Sequence, residues 1–148
     1  MTDFDTLMNS YERHSKALAK ANEHNKAVVF DALAASCVTA VTVEFDGEGD
    51  SGQIEAVTAC AGEIHVILPA TRVTLHEASW QKETLTTAEK ALSEAIEELC
   101  YAYLEQKHGG WEINDGAFGE FTLDVASRTV ELEFNGRFSD FHTSTHTF

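Results

Sequence analysis

The apolar residues of this chain first change period near Val38, and that change constrains the fold more than any other feature. Between residues 4 and 35, Phe4, Leu7, Met8, Tyr11, Leu18, Ala21, Val28 and Leu33 recur at spacings of three, four and their multiples, which builds one apolar stripe along a helix. Glu12, Arg13, Lys16, Lys20 and Glu23 fall on its wet face. Helix propensity dips at Asn22-Glu23-His24-Asn25, where a break is expected. From Val38 the period becomes two: Val41, Val43 and Phe45 alternate with Thr42 and Glu44, so a strand with one buried face begins here.

The strand pattern then repeats. Residues 54–60 read as a second strand, 63–68 as a third with Ile64, Val66 and Leu68 on one face, and 71–76 as a fourth with Val73 and Leu75 inward; Pro69, the only proline, ends the third. Short strands in such succession favour an antiparallel meander. Thr86 and Glu89 have capping-box spacing for a second helix that Gly109-Gly110 stops, and Leu92, Ala95, Ile96, Leu99, Cys100, Tyr103 and Leu104 form its apolar face. Phe121, Leu123 and Val125 then match Val130, Leu132 and Phe134 across the turn Ala126-Ser127-Arg128. The expected fold class is α+β: a single domain over residues 1–148, with an antiparallel sheet packed against a long N-terminal helix and a second central helix, and a C-terminal hairpin. An unbroken first helix could project and pair with a second copy as a homodimer.

At 148 residues and 43% hydrophobic composition the chain suits one core. No apolar run nears the roughly 18 residues of a membrane span, and acids stand where a signal peptide carries Lys or Arg, so a soluble, cytoplasmic protein with no membrane partner is expected. Cys37, Cys60 and Cys100 sit among Ala, Val and Leu without Cys-x-x-Cys spacing and read as small buried hydrophobes.

Net charge is −15. Residues 1–36 carry five acids and four bases, residues 37–80 seven and one, and residues 111–148 seven and two, so the negative charge belongs to the β-like segments. Such a field repels phosphates, which argues against direct nucleic-acid binding and for a basic protein partner. The uneven distribution is also what imitation of a nucleic-acid surface requires.

Three constellations could carry chemistry. Asp46, Glu48 and Asp50 occupy the first, third and fifth places of a calcium loop, but Ser51 and Val57 stand where the EF-hand needs Gly and a bidentate Glu. That leaves a different Ca²⁺ or Mg²⁺ site, a glycine-rich hairpin loop whose Asp side chains cap its own amides, or a partner-binding loop that includes Gln53 and Glu55. Asn114-Asp115-Gly116 forms a second acidic turn. Were the two turns to meet, Asp46, Asp50 and Asp115 would be the metal ligands of an enzyme acting on a phosphorylated or nucleotide substrate. The third constellation is the wet face of the last hairpin, where Glu120, Thr122 and Asp124 stand beside Glu131 and Glu133.

Other chemistry has less support. His142 and His146 lie in a β-forming stretch, where two pleats would separate them too widely to chelate one zinc. No Gly-x-Ser-x-Gly elbow is present, and no residue is assigned a catalytic role. The favoured reading is a non-enzymatic acidic binding protein without a cofactor. Its contact residues would be Asp46, Glu48, Asp50, Ser51, Gln53, Glu55, Asn114, Asp115, Glu120, Glu131 and Glu133. The metal-dependent enzyme is the rival, and a self-associating structural domain the third reading.

Three strings together resemble an uncharacterised bacterial family, a domain of unknown function met on plasmids and other mobile elements. They are residues 45–55, residues 108–119 from His108-Gly109-Gly110-Trp111 to Gly119, and Glu133-Phe134-Asn135-Gly136-Arg137-Phe138. The resemblance spans nearly everything beyond residue 40. It implies no activity, fold or ligand, but its mobile-element setting points toward an accessory or anti-defence protein that binds a host factor.

Overall fold

A computed structural model describes residues 3–48, 51–77, 86–108, 116–136 and 142–148. Helix α1 (Asp3–Ala35) is unbroken and leads into β1 (Ala40–Glu48), β2 (Ser51–Ala61) and the short β3 (Ile64–Val66). Strands β4 (Arg72–Glu77) and β5 (Thr86–Ala91) come next, then α2 (Leu92–His108), β6 (Ala117–Asp124), β7 (Thr129–Gly136) and β8 (His142–Thr147). The fold is α+β, as the change of period predicts.

The described strands form two sheets. Six run in the order β3-β2-β1-β6-β7-β8, and every pairing between neighbours is antiparallel. The expected four-strand meander is therefore broken: β1, β2 and β3 form one, while β4 leaves to pair with β5 in a separate two-stranded sheet. Val73 and Leu75 do point inward, at 8% and 1% exposure. The third strand is shorter than its pattern, and Ile64 is 69% exposed instead of buried.

No break occurs at residues 22–25, and the polar residues there have a use. The Asn25 carboxamide donates to the His76 carbonyl (3.0 Å) and accepts from the His76 amide (2.8 Å), as a neighbouring strand would. The His24 ring stacks on that of His76 with centroids 3.5 Å apart. Residues that lower intrinsic propensity are tolerated because they dock β4 onto the helix.

The capping box is overturned as well. Thr86 and Glu89 lie in β5, opposite Glu77 and Thr74, and the helix begins three residues later at Leu92, whose amide bonds the Thr71 carbonyl at 2.9 Å. Strand pairing, reinforced by the Arg72–Glu89 ion pair, took the segment from the helix. The apolar face of α2 is as expected, with Leu92, Ala95, Ile96, Leu99, Cys100, Tyr103 and Leu104 all buried.

One cluster of buried residues joins Val29, Phe30 and Leu33 of α1 and the apolar face of α2 to a single face of the large sheet, notably Val41, Val43, Phe121, Leu123, Val130 and Leu132. Both helices therefore lie on one side, and the opposite side of the sheet faces solvent. Tyr103 stacks on Phe148 with centroids 4.3 Å apart, tying α2 to the C-terminal end of the chain. Cys100 is buried as expected, but Cys60 is only half-buried and Cys37 is exposed, because it follows the last turn of α1 instead of starting the sheet interior.

A candidate acidic binding face

Alternation along the strands decides which side chains reach the open face. On β1 these are Thr42, Glu44 and Asp46, on β6 Phe118, Glu120, Thr122 and Asp124, and on β7 Glu131, Glu133 and Asn135. The register then aligns them into rows across the sheet. Glu44 stands opposite Glu120, and Glu120 opposite Glu133. One row along, Thr42, Thr122 and Glu131 follow each other in the same way; the next row in the other direction holds Asp46, Phe118 and Asn135. Directly opposed Cβ atoms lie about 5 Å apart, so the three glutamates form a ladder of like charge.

A bulge brings in one more acid. Glu44 pairs with Ala56 and Phe45 with Ile54, which leaves Glu55 as the extra residue of β2. Gln53 donates to the Glu55 carboxylate at 3.2 Å. The result is a shallow depression of about 350 Å³ whose lining includes Glu44, Asp46, Glu55, Glu120, Glu133 and Phe118, with no Lys or Arg among the described residues.

The floor of the sheet beneath it is stiffened from the other side. Gly119 lies between Phe45 and Phe134 in register, and those two rings approach with centroids 6.2 Å apart. A Cβ at Gly119 would be driven into the Glu133 carbonyl oxygen and come within 3.0 Å of the Phe45 ring, so glycine lets aromatic neighbours close over the strand.

Among the residues named from sequence, Asp46, Glu55, Glu120 and Glu133 come together on this depression, with Gln53 beside it and Glu131 in the adjacent row. Glu48 and Ser51 pair with each other at the end of the β1–β2 hairpin. Asp50, Asn114 and Asp115 lie outside the described residues, as does Trp111. The acidic segment 46–55 is mostly strand, not loop, since β1 runs to Glu48 and β2 starts at Ser51. Gly47 pairs with Ala117 and Asp46 with Phe118, so segments 46–55 and 116–119 do share one end of the sheet. Sequence reasoning passed over Glu44 and Phe118 as site residues, although strand alternation alone places Glu44 on the wet face.

Among the described residues, no group of three or more His, Cys, Asp or Glu side chains stands where it could hold a metal ion. No described helix is long and apolar enough to cross a membrane. A family model matches residues 21–148 of the chain. The chain belongs to a family of unknown function, DUF6878. In this DUF6878 chain the match takes in the packed part of α1 and every strand of the acidic face. No curated protein and no solved structure matches it.

Proposed function

We propose that this chain is a non-enzymatic acidic binding protein whose open sheet face engages a basic protein surface, including one built for nucleic acid. The observation that supports this reading is the run of five carboxylates around one depression, with no basic residue among the described residues of its lining. Opposed glutamates cost stability in a sheet, roughly 0.2–1 kcal/mol for each pair, and a cationic partner would offset that cost on binding. The resemblance to a family of plasmids and mobile elements supports an accessory or anti-defence role, exercised in the cytoplasm against a host factor.

Titration against a basic nucleic-acid-binding protein of the histone-like type, at about 50 mM and about 500 mM salt, tests the reading. Binding is expected to weaken at least tenfold at the higher salt, because exposed charges are screened within about 10 Å at 0.1 M. It should weaken by a similar factor in a Glu120→Gln/Glu133→Gln double variant, and duplex DNA should compete for the same partner. Salt-independent binding, or full binding by the double variant, would overturn it.

A second reading, self-association through α1, has its own observation. No residue from Glu12 to Lys20 is buried, and Leu18 is 39% exposed.

A further inference from the structure

Among the described residues, the large sheet has an open edge on β2. Strand β3 pairs only with Ala59–Ala61, while β2 runs from Ser51, so residues 51–58 have no strand partner on that side among the described residues. Pro69 follows β3 and limits its extension along the rest of β2, since proline supplies no amide for a ladder.

Beside this edge lies a groove of about 760 Å³. One wall is the continuous run 54–59 of β2; the other is formed by Leu68, Pro69 and Ala70 and by Ser93 and Glu97 of α2. Ser93, Glu97 and Tyr101 follow at i, i+4 spacing on one helix face. The Ile54 amide donates to the Tyr101 hydroxyl at 2.8 Å, so α2 already occupies that amide at one end of the edge. At the other end Ile67, 95% exposed, offers apolar surface to solvent. Natural sheets blunt long open edges with lysine, proline or a covering element, because an open edge templates pairing. Among the described residues neither Lys nor Arg lines this groove, whereas Glu55 and Glu97 do.

We infer that the β2 edge is a docking site for an extended peptide segment of a partner protein, with apolar and basic side chains in alternation. The segment would add as a strand to residues 55–58, in line with β3, its backbone pairing with β2. Its apolar side chains would face Ile67 and Leu68, and its lysines or arginines would meet Glu55 and Glu97. This inference stands on the edge and groove and does not require the acidic sheet face to be a partner surface.

The test uses a fluorescein-labelled nine-residue peptide of alternating lysine and valine, at about 300 mM salt to suppress diffuse charge attraction. Saturating peptide should slow hydrogen exchange at edge-facing amides within residues 55–58 at least tenfold. The same peptide methylated on every backbone nitrogen keeps its charge but cannot donate to the edge, and it should bind at least tenfold more weakly. Ile67→Lys, at a position too exposed to matter for folding, should weaken binding to the same extent, whereas Glu120→Gln/Glu133→Gln should change it less than threefold. Equal binding of the methylated peptide would overturn the proposal. So would protection confined to β6 and β7, loss of binding in the double variant but not in Ile67→Lys, or a dimer of the peptide-free protein already protected at residues 55–58.

Discussion

Cys37 holds a backbone that costs an L-residue energy. Its φ is 62°, in the left-handed region, and it occupies the position after the last turn of α1. The Val38 amide bonds the Leu33 carbonyl (3.0 Å) and the Cys37 amide bonds the Ala34 carbonyl (3.1 Å), which is a Schellman motif, and Val38 and Leu33 supply its apolar contact, both being buried. Glycine is the usual residue at that position. A side chain there costs about 1–2 kcal/mol, partly offset because glycine loses more backbone entropy on folding, about 0.5–1 kcal/mol. The Cys37 side chain is exposed and gives up no packing. Cys37→Gly should therefore raise the melting temperature by about 2–4 °C, measured calorimetrically. An unchanged or lowered value would mean that the left-handed turn is not strained. Arg128, with φ 56°, is a poor site for the same change, since its guanidinium pairs with Asp31 and fastens the β6–β7 turn to α1.

The elements show how much of this fold was legible in the sequence. The β6–β7 hairpin and the apolar face of α2 were readable because periodicity and turn spacing agreed with the packing around them. Where two local signals competed, sequence could not choose: Thr86-Thr87 can cap a helix or pair as strand, and only the presence of β4 across from it decides. The acidic site was legible in its residue types but not in its shape, because the Glu55 bulge and the alignment of Glu44, Glu120 and Glu133 depend on register between strands far apart in sequence. Helix α1 supports an element-scale prediction. At 33 residues it is about 50 Å long, and its first buried side chain among those described is Ala21. If the stripe through Leu18 pairs two copies, the protein should sediment as a dimer at tens of micromolar and Leu18→Lys as a monomer with an unaltered melting temperature. A wild-type monomer throughout that concentration range would rule the dimer out.

For the whole molecule, the open question is what the concentration of negative charge costs. A net charge of −15 on 148 residues stores self-repulsion, but most of it is spread over separations that salt screens. The Glu44–Glu120–Glu133 ladder differs because its neighbours are directly opposed, at about 5 Å, inside the screening length. Glu120 is the middle member, so Glu120→Gln removes two like-charge pairs while keeping the size and hydrogen-bonding reach of the side chain. Two pairs at 0.2–1 kcal/mol each give a stabilisation of about 0.4–2 kcal/mol, or roughly 1–6 °C in melting temperature at low salt. Glu131→Gln is the control: its cross-strand neighbours are Thr122 and Thr147, so the same loss of one charge should give a smaller gain. Raising salt to about 0.5 M should shrink the Glu120→Gln gain and move it toward that of Glu131→Gln. If the two variants behave alike at every salt concentration, the ladder carries no special repulsion and the stability cost belongs to net charge alone. If Glu120→Gln stabilises the protein while weakening its hold on a basic partner, the sheet retains an unfavourable row of charge because binding uses it.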